Sequence, residues 1–353
     1  MIFPKIVGQE HAKKILSILF ERKHFPPLLF TGPKGVGKRT TAITFAQIIN
    51  CNTPSDLEVN QCPRCQQIGS LIHPDIKIIF PITAGLYNEA DFSDALEAIG
   101  DKTHLFAINQ IRPNLSAKGI IPIKVIRWIK QEMAYKPMVG QYKIIIILNA
   151  DKMNQEAANA FLKTLEEPQE QTLFILTTER MSNILPTIRS RCQAIRFSAL
   201  SKQAIADYLR HQRNFPEPDV KIAMEIAEGS IRKALDYLIN QDEFLPSSEL
   251  FNLFDRQNIS DIDSLNKIIN FNFDEMPTES VISGLLFIYR KALQIKLNTV
   301  SYYQSDLITR LASVLTTDQI IKRISILLNA LRNAELYLNK KLNLFSIFSA
   351  VRF

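Results

Sequence analysis

The feature that most constrains this chain is a glycine-rich loop between an apolar run and a helix. Residues 28–41 read LLFTGPKGVGKRTT, with the apolar run ending at Thr31 and Gly32, Gly35 and Gly37 preceding Lys38. Glycines so spaced let the backbone curl and turn its N–H groups toward an anion. Lys38 adds a mobile cation for the outer phosphates of a nucleotide. A helix over 39–49 aims its amino end at the same place. Strand, loop and helix in this order predict an α/β fold on a parallel sheet, with a phosphate-binding loop at one strand end. A glycine loop that only resembles one is the alternative. The candidate nucleotide residues here are Gly32, Gly35, Gly37, Lys38, Arg39 and Thr40. Arg39 departs from the pattern, because it stands where a Ser or Thr hydroxyl holds magnesium.

The second diagnostic run is YKIIIIL at 142–148, whose near-continuous β-branched residues predict a buried parallel strand. A phosphate-loop hydrolase follows such a strand with a pair of acids, one ordering the metal and one polarising the attacking water. Here the next residues are Asn149, Ala150, Asp151 and Lys152. Asn149 lacks the charge and Ala150 has no group to act with. Asp151 lies on a turn, one position beyond the pair. Together with Arg39, this predicts slow or absent hydrolysis.

Residues 155–166 read as a helix burying Ala158, Phe161, Leu162 and Leu165, stopped by Pro168. Glu166 and Glu167 at its end read as surface charges without structural use. A core strand over 173–176 follows, ended by Thr177 and Thr178, which are either simple strand-end residues or hydroxyls reading a γ phosphate. The stretch 185–197, LPTIRSRCQAIRF, reads as a polar connection carrying Arg189 and Arg191. The bland reading is a solvated loop. The sharper one is a guanidinium offered to a phosphate on another subunit, with no local carboxylate to neutralise it.

Cys51, Cys62 and Cys65 supply three donors and half the spacing of a zinc knuckle, with His73 the candidate fourth. Zinc and a relict knuckle with free thiols both remain open. Residues 82–121 have no sustained period and read as an insertion, with a helical excursion over 88–99. A helix begins at Ile123 with Ile126, Ile129 and Met133 on one face.

After Phe197 no comparable strand signal appears. Short helices are expected over 202–211, 220–228 and 229–239, with Arg232 in the first turn of the last, then a linker over 240–248. Apolar spacings of three and four predict helices over 281–297, 307–315 and 320–338, enough for a bundle with its own core.

The 353 residues suggest two or three domains, and 46% apolar residues suffice for real cores. A net charge of +7, from 42 basic and 35 acidic residues, permits contact with DNA without demonstrating it. The apolar runs are too short for membrane spans, no secretory leader is expected, and four cysteines do not make a secreted disulfide framework. A cytoplasmic protein with no membrane partner is expected.

TGPKGVGKRT, YKIIIIL, AANAFLKTLEEP and SRC at 190–192, in that order, resemble the bacterial DNA polymerase III clamp-loader subunits of the AAA+ family over residues 6–238. The resemblance implies an α/β AAA+ P-loop module with a parallel sheet over 1–198. That module would contain a degenerate zinc-knuckle region, 51–73, and the 82–121 insertion. A small helical lid over 199–242 and an all-α oligomerisation collar over 249–353 would follow. It implies that backbone near Val7 lines an adenine pocket, that Thr177 or Thr178 is a sensor, and that Arg232 is the lid's sensor arginine. Arg191 becomes an arginine finger acting in trans. Three cysteines in place of the family's four leave zinc in question, and the altered loop leaves weak ATP or ADP binding or an empty site. Within the family, Arg39, Asn149 and Ala150 resemble the non-motor delta-prime subunit rather than the gamma/tau ATPases, as do the His73-Pro74-Asp75 triplet and the length. The implied partners are gamma/tau and delta, and through the assembly the sliding clamp and primed DNA. The alternatives are an active gamma-like ATPase and a DNA-binding or helicase-associated scaffold.

Overall fold

Five parallel strands form the sheet among the described residues: β1 (Leu28–Thr31), β2 (Ile76–Ile79), β3 (Lys143–Ile147), β4 (Thr172–Thr178) and β5 (Gln193–Arg196). Their order across the sheet is β2-β3-β4-β1-β5. The computed structural model describes residues 3, 6–52, 62–81, 119–213, 215–239, 278–298, 306–333, 346–347 and 350–351. The 88–99 excursion, the 240–248 linker and most of the 82–121 insertion lie outside them.

The inner strands are apolar between their ends because both sheet faces are covered. Successive side chains point to opposite faces, and the core divides accordingly. Leu28, Phe30, Ile144, Ile146, Leu173 and Ile175 pack with α1 (Glu10–Arg22), α2 (Lys38–Asn50) and α3 (Pro63–Gly69). Leu29, Ile145, Ile147, Phe174 and Leu176 pack with α4 (Ile123–Met133), α5 (Gln155–Glu166) and α6 (Pro186–Arg189). Asn154 caps α5 by accepting from the Ala157 N–H at 2.9 Å.

The stretch expected to be a polar connection holds α6 and β5 instead. β5 pairs with β1 in register Leu28↔Gln193 to Thr31↔Arg196, yet Ile195 alone of its four residues is buried. An edge strand so sparsely covered has little apolar pattern to read. Thr177 and Thr178 end β4 as expected, and both are paired, opposite Phe30 and Thr31.

Two polar clamps fix the chain before β3. Fully buried Asp75 accepts from the N–H groups of Met138, Val139 and Gly140 at 2.6–2.8 Å. Asn50 accepts from the N–H groups of Gln141 and Tyr142, and donates to the Tyr142 carbonyl. Buried Lys143 donates to the carbonyls of Glu132 and Tyr135, at the carboxyl end of α4, where a cation is favoured.

Contacts divide the chain into two compact units, one of Met1–Ala204 with Gly229–Ile231, the other of Ile205–Glu228 with Arg232–Phe353. After the sheet, the described elements are all helical: α7 (Lys202–Arg213), α8 (Glu217–Ile226), α9 (Ile231–Ile239), α10 (Thr278–Lys296), α11 (Asp306–Val314) and α12 (Thr317–Asn333). In the second unit α10, α11 and α12 share a core that includes Leu285, Tyr289, Ile308, Leu311, Ile320 and Leu327. Lys291 pairs there with Glu225, both side chains nearly excluded from solvent. Among the described residues no helix is long and apolar enough to cross a membrane.

Candidate functional site

The phosphate loop leaves β1 beside the end of its parallel neighbour β5. A Cβ on Gly32 would lie 2.2 Å from the Phe197 carbonyl oxygen, so no side chain fits. Gly37, at φ 101°, turns the chain into α2 through the left-handed region that favours glycine. Lys38 folds back under the loop, and its Nζ donates to the Gly32 and Pro33 carbonyls at 2.6 Å each. Burial lowers the Lys38 pKa, and the nearby charges of Glu179 and Asp151 oppose that shift. Arg39 and Thr40 follow, both half-buried.

The turn after β3 adjoins the end of β4. Asn149 has φ 52°, and its N–H donates to the Thr177 hydroxyl at 3.1 Å. Ala150 is buried at the start of a 3-10 turn, Ala150–Lys152. Thr178 donates its hydroxyl to Asp151 Oδ1 at 2.7 Å and accepts from the Arg180 N–H. Both threonines are buried, Thr177 bonded to the Asn149 N–H and Thr178 to Asp151. β3 ends at Ile147, one residue before the apolar run does, and none of Leu148, Asn149 and Ala150 carries a carboxylate.

Gln9 escaped attention in the sequence. Its buried amide donates to the carbonyls of Val36, in the loop, and Ser198, beyond β5, and accepts from the Ser198 N–H. It ties the segment after Val7 to the phosphate loop. Only the glutamine's place beside Gly8 could have flagged it.

The paired arginines separate clearly. Arg189 is half-buried at the end of α6, and its buried Nε has no hydrogen-bond partner. Arg191 is exposed, contrary to expectation has a local carboxylate, and donates from Nη2 to Glu166 Oε1 at 2.5 Å. Glu166 therefore has a structural use that its place in the sequence did not suggest. Cys192, next along, has its thiol pushed up to about 12 by burial. Arg232 belongs to the second unit, where its Nε donates to Asp236 at 2.8 Å.

The sulfurs of Cys51, Cys62 and Cys65 lie within 4.8 Å of one another, with Cys51 and Cys62 3.9 Å apart. Thiolates around tetrahedral zinc sit about 3.8 Å apart, so these donors fit three of its four positions. Burial pushes the Cys62 thiol up, but hydrogen bonds from Asn52 and Cys65 outweigh it and bring the value down to about 7. Burial raises Cys65 well above the usual thiol range. His73 stands outside this group: its Nδ1 accepts from the Asp75 N–H, and its buried Nε2 has no hydrogen-bond partner. Among the described residues no fourth donor joins the cluster.

Residues 8–201, more than half of the chain, match the family described as DNA polymerase III, delta subunit. The chain belongs to that family. The delta-family region thus takes in the phosphate loop, the sheet, the thiol cluster and both arginines. Its curated relatives include DNA polymerase III subunit tau of Bacillus subtilis, 28% identical over 83% of this chain and 50% of the relative. They include DNA polymerase III subunit gamma of Buchnera aphidicola, 30% identical over 67% of this chain and 57% of the relative. Subunit delta' of Bacillus subtilis is 27% identical over 76% of this chain and 72% of the relative. This delta-family chain spans about half the length of the first of them.

Proposed function

We propose that this chain is a delta-prime-like, non-motor subunit of a replicative clamp loader. It helps load the sliding clamp onto primed DNA beside gamma/tau and delta subunits. One observation carries the reading: in a well-formed phosphate-loop frame, Arg39 replaces the magnesium hydroxyl, and Asn149 and Ala150 replace the acidic pair. The buried, already bonded Thr177 and Thr178 support it, since their hydroxyls are held by the chain itself. One loss could be compensated locally, but two, one in α2 and one in the turn after β3, remove both the metal and the activated water.

In this reading Arg191 acts in trans, on the triphosphate of a neighbouring gamma-like subunit. Its guanidinium is always charged, contacts two oxygens at once, and is exposed at the surface. Arg232 as the lid sensor, 199–242 as the lid and 249–353 as the collar belong to the same proposal. The competing reading is an active gamma-like ATPase, favoured by the longer match to a tau subunit. Mixing the chain with purified gamma/tau and delta tests the proposal. A stable complex that loads clamps only when this chain is present supports it. Tight DNA binding by the chain alone, with no affinity for either subunit, overturns it in favour of a scaffold.

A further inference from the structure

We propose that Glu166 is a positioning residue for Arg191, a counter-ion in cis that holds the guanidinium against its own domain until a neighbouring triphosphate displaces it. This inference rests on the trans-finger reading above. Arg191 is held through both terminal nitrogens: Nη2 donates to Glu166 Oε1 at 2.5 Å, and Nη1 donates to the Thr187 carbonyl at 2.9 Å and to the Ser190 hydroxyl at 3.4 Å. Those two nitrogens form the terminal edge of the guanidinium fork, the edge that chelates a pair of phosphoryl oxygens. While Glu166 and Thr187 occupy it, Arg191 cannot offer that edge to a nucleotide.

The electrostatics set which way the contact switches. Glu166 is the last residue of α5, where the helix carbonyls disfavour an anion. Neutralisation by Arg191 relieves that repulsion, so the folded-back arrangement is preferred when no stronger anion is near. The side chains keep 35% and 47% of their exposure, so the pair lies within reach of an approaching subunit. An exposed ion pair is also weak enough to exchange. A nucleoside triphosphate, with several charges against one, takes the guanidinium from a single carboxylate. Glu166 thus raises the nucleotide occupancy required before the finger engages.

The test is single-turnover ATP hydrolysis in the reconstituted complex, with unaltered motor subunits and rising ATP. This chain is supplied as wild type, Glu166→Gln, Arg191→Ala or the double variant. Glu166→Gln should lower the half-saturating ATP concentration by about two- to fivefold, with the maximal rate unchanged. That advantage should shrink in high salt. The double variant should behave as Arg191→Ala does. A structural defect would lower the maximal rate instead, and that result overturns the proposal. So does an unchanged half-saturation with Glu166→Gln while Arg191→Ala slows hydrolysis, which leaves the trans-finger reading standing. If Arg191→Ala hydrolyses as wild type does, the trans-finger reading itself fails, and the proposal with it.

Discussion

Thr178 donates its hydroxyl to Asp151 across 2.7 Å and joins the end of β4 to the turn after β3. Asp151 is the one carboxylate in 149–152, and this bond holds it beyond the two positions where hydrolytic acids would stand. On the proposed non-motor reading, the site keeps its means of holding phosphate, in the loop and Lys38, without its means of using metal or water.

Nucleotide binding should therefore be weak and insensitive to magnesium. Calorimetry with and without magnesium checks this on the whole chain. Arg39→Ser restores a hydroxyl ligand and removes a competing cation, and should introduce a magnesium dependence of about tenfold in affinity. Sub-micromolar, magnesium-requiring binding by the wild type contradicts the account.

The two arginines should fail differently. Arg191→Ala removes an exposed group and should lower hydrolysis in the assembled complex by about tenfold or more at one site, with the melting midpoint unchanged. Arg189→Ala removes a half-buried side chain and should lower the midpoint while leaving hydrolysis near normal. Paired thermal melts and single-turnover assays separate them. Equal losses of hydrolysis reject the assignment to Arg191.

Asp75 gives a signature in pH. Burial pushes its carboxyl up, but the N–H groups of Gly140, Met138 and Val139 outweigh that and hold its pKa below the usual carboxylate range. The stability it contributes is complete above the unfolded value, about pH 4, and is lost as pH falls through the lower folded value. Asp75→Asn should cost about 2–4 kcal/mol at neutral pH, with the gap to wild type narrowing below about pH 4. Urea unfolding at several pH values measures it, and a gap that widens in acid is the contrary result.

Three thiols with no fourth donor among the described residues should hold zinc exchangeably. Treating protein purified without a histidine tag with a chelator should remove any zinc and leave the melting midpoint in place. A fall of about 5 °C or more would mark a structural site and contradict the three-donor geometry.

The sequence made the sheet's centre legible because its residues are redundant in one property. YKIIIIL reads as a buried strand in any context, and 155–166 marks its helix by spacing, with Pro168 just beyond its end. β5 was not legible, since its single buried residue, Ile195, leaves no pattern. The departures at Arg39, Asn149 and Ala150, on which the proposed non-motor role rests, were visible because a missing hydroxyl or carboxylate shows in the residue type. The Glu166–Arg191 and Asp75–Gly140 contacts could not, since they join residues 25 and 65 positions apart whose meeting depends on the completed fold.

Steady-state ATP hydrolysis by the purified chain tests the central claim most directly. The non-motor account predicts no turnover above background, with Lys38→Ala indistinguishable from wild type. Turnover near one per second, order of magnitude, that Lys38→Ala abolishes would contradict it and make the chain an ATPase in its own right.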